Sequence, residues 1–228
     1  MKRKSLITIA TNAVIVLVIA TLAVTALVAS GQQAAFAPLR QGTRQGTVAL
    51  TFNVYLGEEY VRQIVDILDH YQITATFFLG GCWVKKHPET CQILVQNRLC
   101  IGSHGYSHQD HSRLDYAANI AELNKAQAII TEVCGAPTNL FAPPSGAYGD
   151  ALLKAAQDLG YSVIMWTKDT IDWRDQDVDI LISRATRNRQ AGDIILMHPT
   201  AATVKALSAI IETYLADGYT FVSVADMI

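Results

Sequence analysis

The sequence predicts an α/β fold: a parallel sheet of about seven strands, curled into a distorted (β/α) barrel with crossover helices outside. Three observations predict it. From Val48 onward, short β-rich runs alternate with segments of helical periodicity, as when parallel strands are joined by crossover helices. The runs are short and apolar, as in strands covered on both faces. Functional-looking polar residues follow the strand ends: Asn53, the 80–82 turn, His104, the 166–169 segment and His198. An open sheet gathers such residues at one switch point, whereas contributions from nearly every strand suit a barrel.

The chain begins with a different kind of segment. Leu6–Ala29 carries no charge and follows Met-Lys-Arg-Lys. As a helix it would be roughly 36 Å long, enough to span a bilayer. The leading positive residues would stay cytoplasmic and place the remainder outside. The rival is a cleaved signal peptide, with Ala35, Phe36 and Ala37 resembling a small-residue cleavage site. Against it stand the length of the apolar run and Pro38 directly after that site. The expected organisation is therefore a cytoplasmic stub (1–5), a transmembrane signal-anchor (6–29), a linker (30–46) and one extracytoplasmic domain (47–228). The linker reading rests on polar composition without periodicity.

The elements follow in order. Residues 48–53 and 73–78 are β-rich runs. Between them, Val61, Ile64, Val65 and Leu68 recur at helical spacing. A second helix is expected over Trp83–Gln96 and a third strand over 99–103. A long helix over 116–134 turns Ile120, Leu123, Ile130 and Val133 inward and stops at Gly135. Strand 139–142 precedes a helix capped by Asp150 and ended by Gly160. Strand 161–166 leads to a helix carrying Val178, Leu181, Ile182 and Ala185. Strand 194–197, a helix with Val204, Leu207, Ile211 and Leu215, and strand 221–224 complete the chain.

Composition excludes some functions. Formal net charge is −2, and no basic run marks a nucleic-acid partner. No GxGxxG or Walker pattern follows the first strand, so a nucleotide partner is not expected. The four cysteines, Cys82, Cys91, Cys100 and Cys134, form no CxxC pair. Export would permit disulfides; Cys91 and Cys134 fall in helical patterns, where packed free thiols are expected.

His104 and His108 are four residues apart at a strand end. Two imidazoles there suit a divalent cation, zinc above all, although HxxxH alone also describes an ordinary polar loop. His198 ends an apolar strand and suits a general acid. Asp169 and Asp172 follow the fifth strand, where a carboxylate would orient His198. Trp173 would make an apolar wall for a sugar ring, and Pro144 in the rigid APPSG turn a second wall. The bland readings are a helix cap for Asp172 and a purely structural turn for Pro144.

In order, ALTFN, SHGYSH, FAPPSG, DTIDW and ILMHPT resemble the motifs of the polysaccharide deacetylase, or NodB-like, family. The likeness runs from about Val48 to the C-terminus, and is greatest to the sporulation-associated branch of endospore-forming bacteria. It implies a distorted barrel and metal-dependent removal of N-acetyl groups from peptidoglycan or chitin-like glycan. It also implies His104 and His108 as metal ligands, His198 as catalytic acid and Asp169 as supporting carboxylate. Three positions depart from it. The family's first strand ends Thr-Phe-Asp-Asp, a base and then a metal ligand; here Asn53 and Val54 stand there. Ala142 replaces the arginine that partners the base. An amide cannot take a proton at neutral pH, and losing a positioned base costs ~10²–10⁴ in rate. Asp110, His111, Tyr55, Glu58 and Glu59 are conceivable substitute ligands. Two readings follow: a metal-dependent deacetylase, or a silent domain of the same fold that binds glycan or a partner.

Overall fold

A computed structural model describes Val18 and residues 36–228. The membrane helix expected over Leu6–Ala29 lies, apart from Val18, outside the described residues. Among the described residues no helix is long and apolar enough to cross a membrane.

In the unit Ala37–Ile228 the strands are β1 (Thr47–Val54), β2 (Thr76–Leu79), β3 (Cys100–Ser103), β4 (Leu140–Phe141), β5 (Ser162–Val163), β6 (Lys168–Asp169), β7 (Ile194–Met197) and β8 (Thr220–Phe221). The helices are α1 (Glu58–His70), α2 (Gly81–Lys86), α3 (Pro88–Gln96), α4 (Tyr116–Cys134), α5 (Asp150–Asp158), α6 (Val178–Thr186), α7 (Ala201–Ala216) and α8 (Val224–Met227). All strand pairings are parallel, in the order β5-β4-β3-β2-β1-β7-β6, with β8 beside the start of β1. Among the described residues β5 and β6 do not pair, so the curled sheet stays an incomplete barrel.

Alternation along β1 divides the core. Val48, Leu50, Phe52 and Val54 pack in the cluster that includes helix residues such as Ile64, Leu94 and Ile210. Ala49 belongs to a second cluster with Phe78, Leu140, Ala142, Ile164 and Ile194, inside the curl. Successive side chains of a strand face opposite ways, and each fully buried large apolar side chain contributes about 1.5–3 kcal/mol.

Several expected elements are redrawn. The single helix over Trp83–Gln96 breaks at His87, and Pro88 opens α3; proline lacks the N–H a continuous helix needs but fits a first turn. Asp150 is the first residue of α5, and its cap is Gly149. Lys168–Asp169, expected as loop, pairs with Ile195 and Leu196 as β6. The closing strand stops at Phe221, because Ser223 accepts a hydrogen bond from the Asp226 N–H and starts α8. Part of the expected linker is bound to the domain. Leu39 bridges Ile164, the Gly42 N–H donates to the Gly192 carbonyl and the Thr43 N–H to that of Met227.

Candidate functional site

The carboxyl ends of the strands bring the motif residues to one mouth. His104 follows β3 and is buried, at 2% exposure. Its Nδ1 lies 2.7 Å from the Ala142 carbonyl oxygen. A carbonyl only accepts, so Nδ1 carries the proton and Nε2 keeps its lone pair, the tautomer a metal would need. Burial, and then the neighbouring His108, push the His104 pKa down to about 3, so the ring is neutral. Ala142 lacks the arginine side chain, yet its backbone holds the first histidine in place.

His108 stands on an exposed loop with φ +56°, a left-handed conformation uncommon for a residue with a side chain. Its ring centre lies 5.2 Å from that of His104 and 4.8 Å from that of Tyr55. The surrounding protein lowers its pKa, with a smaller contribution from His198. The loop is tied down by Glu122 of α4. Its carboxylate accepts from the Tyr106 and Ser107 N–H groups, the Ser107 hydroxyl and the Gln109 amide. Sequence reasoning missed Glu122, since only the packing of α4 brings it under this loop.

His198 follows β7, and the carboxylate that orients it is Asp172. Asp172 is fully buried. Its Oδ1 lies 2.7 Å from His198 Nδ1, and its Oδ2 accepts from the His198 N–H at 2.6 Å and from the Thr203 hydroxyl at 2.5 Å. This corrects the assignment of Asp169 as supporting carboxylate. Asp169 sits on β6, and its Oδ1 accepts from the Ile171 N–H at 2.8 Å, closing a turn. Three residues further on, the chain delivers Asp172 inward, which is why the second Asp of DTIDW holds the histidine.

The β1 end is different. Asn53 is 5% exposed and its Oδ1 has no hydrogen-bond partner. Val54 is fully buried in the helix-packed core. Among the described residues none of the conceivable substitutes completes a ligand set with His104 and His108. Asp110 bonds Ser112 and Arg113, and Glu58 takes the Thr90 hydroxyl. The Tyr55 ring lies tilted against that of His108, and Glu59 is exposed on α1. His111 is buried with Nδ1 2.7 Å from Asn119 Oδ1, while its Nε2 has no hydrogen-bond partner. Among the described residues no group of three or more His, Cys, Asp or Glu side chains lies close enough to share a metal. Two imidazoles are one ligand short of the usual hydrolytic zinc centre, so the residues present do not complete one.

For the expected glycan walls the outcome is split. Trp173 is 62% exposed and free to stack on a ring, with the Arg174 guanidinium 5.9 Å from its centre. Pro144 is buried beneath the mouth and offers no open face.

Comparison with known proteins bears on this arrangement. Residues 40–164 match the family model described as polysaccharide deacetylase. An uncharacterized protein of Bacillus subtilis, YlxY, is 34% identical over 180 residues, covering 79% of this chain and 56% of that protein. This chain thus spans little more than half of YlxY. A Bacillus cereus peptidoglycan-N-acetylglucosamine deacetylase is 29% identical over 192 residues, covering 79% of this chain and 87% of its own. Among solved structures, BA3943 from Bacillus anthracis, a CE4 family pseudoenzyme, superposes with a TM-score of 0.81 at 35% identity. That match covers 84% of this chain and 68% of BA3943. A BA3943 mutant described as having restored enzymatic activity matches equally well, with a TM-score of 0.81.

Proposed function

Because the chain belongs to the polysaccharide deacetylase family, we propose that it engages N-acetylated cell-wall glycan at the mouth of its barrel, with the deacetylation chemistry silenced. The observation that carries this reading is the β1 end. A buried amide, Asn53, stands where the base belongs, and Val54 is packed into the core where the carboxylate ligand belongs. Binding itself is supported by an exposed ring, since the unpartnered Asn53 Oδ1 is buried out of a ligand's direct reach. The exposed Trp173 supports binding as a stacking face for a sugar ring. The relation to a CE4 family pseudoenzyme points the same way. In this reading residues 6–29 anchor the domain outside the cytoplasmic membrane, where it serves envelope or spore assembly.

A second reading, an active metal-dependent deacetylase, is favoured by two features. His104 presents a free Nε2, and the His198–Asp172 pair can hold a proton at His198 Nε2 for a leaving amine.

One paired experiment separates the readings. Calorimetric titration of the full-length protein with N-acetylglucosamine oligomers is expected to show binding that Trp173→Ala weakens about tenfold, or about 1.4 kcal/mol. Acetate release from the same oligomers with zinc added is expected to stay at background. Turnover that His104→Ala abolishes would instead establish the second reading.

A further inference from the structure

The family chemistry leaves two cysteines unused, and the fold brings them together. Cys91 lies on α3 and Cys134 is the last residue of α4. They are 43 positions apart, and both pack in the same core cluster, Cys91 fully buried and Cys134 at 9% exposure. Their chain neighbours are joined as well, since the Gln92 side-chain amide donates to the Val133 carbonyl. Cys82 lies on α2 instead, and Cys100 on β3 beside Thr76 and Ser223.

We propose that Cys91 and Cys134 form an intramolecular disulfide when the folded protein meets an external disulfide oxidant. The bond would tie α3 to α4 and close a covalent loop containing β3, His104, His108 and Glu122. It would thus fasten both ends of the segment that carries the two metal-type histidines.

The order of attack follows from access and ionisation. Cys134 borders an open cavity of about 260 Å³ lined also by Val95, Arg98, Leu99, Ile101 and Thr138. The cavity gives a small reagent a path to Cys134, whereas Cys91 is fully buried. The hydrogen bond from Cys91 holds the Cys134 thiol below its ordinary pKa, while the same partner and burial push Cys91 up. Cys134 therefore attacks the oxidant's disulfide first. A mixed disulfide forms and one oxidant thiol leaves. Cys91 then loses its proton, attacks Cys134 Sγ and expels the second oxidant thiol. Two protein thiols and one external disulfide become one internal disulfide and two external thiols.

The test uses the full-length protein, first reduced, then freed of reductant and incubated folded with oxidised glutathione. Titratable thiols, counted after denaturation, should fall from four to two. Non-reducing peptide mapping should join the Cys91 and Cys134 peptides. The thermal midpoint should rise by about 8–16 °C, as a loop of this length implies. Cys134→Ser should keep its three remaining thiols and lose the shift. The proposal is overturned if wild type retains four thiols, if glutathione stays attached to Cys134 without a 91–134 link, or if the link joins other cysteines. Mapping of wild type decides the matter even if a cysteine variant folds poorly.

Discussion

The two sides of the mouth differ in how their polar groups are held. On the β6–β7 side, Asp172 accepts from His198 twice and from Thr203 once, and is fully buried. On the β1 side, Asn53 Oδ1 has no partner and Val54 is part of an apolar core. The difference shows which polar groups the fold itself requires. A buried carboxylate with three donors cannot be removed cheaply, because its removal strands all of them. A base and its arginine partner can be lost together without leaving an unpaired charge. The survival of His198 and Asp172 is therefore what stability alone would maintain, and is weak evidence for turnover.

The largest effect should come from testing that claim directly. Asp172→Ala is expected to cost about 3–5 kcal/mol of stability. Asp169→Ala, which loses one turn hydrogen bond from a half-buried position, is expected to cost under about 1.5 kcal/mol. Urea unfolding of the two variants measures the contrast. Equal losses would break the claim that Asp172 is the carboxylate on which the β6–β7 side is built.

The same contrast marks what could be read from the sequence. The parallel α/β fold was legible because strand and helix periods alternate cleanly, and the mouth because polar residues follow strand ends. The carboxylate on His198 was not. Asp169 and Asp172 are three apart in one short segment, and only the pairing of Lys168–Asp169 with β7 decides which one turns inward. Glu122 was invisible for a related reason: it sits mid-helix, and its four hydrogen bonds come from three residues 13 to 16 positions away in an irregular loop. Pro144 looked like a wall because a rigid turn can face either way; packing turned it in. The break at Pro88 was readable in principle, since proline within a helical pattern marks a boundary.

Acid should reveal the buried histidines. Burial, and then His108, lower the folded His104 pKa to about 3 from an ordinary 6.5. The unfolded chain takes up a proton that the folded ring refuses. This contribution is intact above pH 6.5 and is lost as pH falls toward about 3. Burial also lowers the His111 pKa, despite its bond to Asn119, so its effect has the same sign. The chelator-treated protein should lose about 2 kcal/mol between about pH 6 and 4.5, against a ceiling of about 1.4 kcal/mol per unit for each residue. His104→Gln should flatten the slope of urea midpoint against pH. An unchanged slope would mean that this ring titrates normally in the folded state.

The smallest expected effect, about 1.4 kcal/mol of barrier or a tenfold rate, belongs to rebuilding the β1 side until it matches its opposite. Asn53→Asp supplies a base, Val54→Asp a third ligand and Ala142→Arg a partner for the base. Singly, each should do little for activity. Asn53→Asp and Ala142→Arg each introduce one unpaired buried charge. Val54→Asp places a carboxylate in the helix-packed core and should lower stability most. Together the new charges can offset one another, and an added cation can draw the carboxylate introduced by Val54→Asp toward His104 and His108. Strong non-additivity is therefore expected, as for residues that act as one unit. The readout is acetate released from N-acetylglucosamine oligomers by the triple variant with zinc or cobalt, compared with wild type. Thermal unfolding with and without the metal provides a second readout, since a completed site should raise the midpoint through binding. A tenfold gain would mean that the His198–Asp172 side still presents working chemistry and that the β1 side alone silences it. A folded triple variant that binds metal yet releases no more acetate would mean that the mouth has been reshaped for binding beyond those three positions.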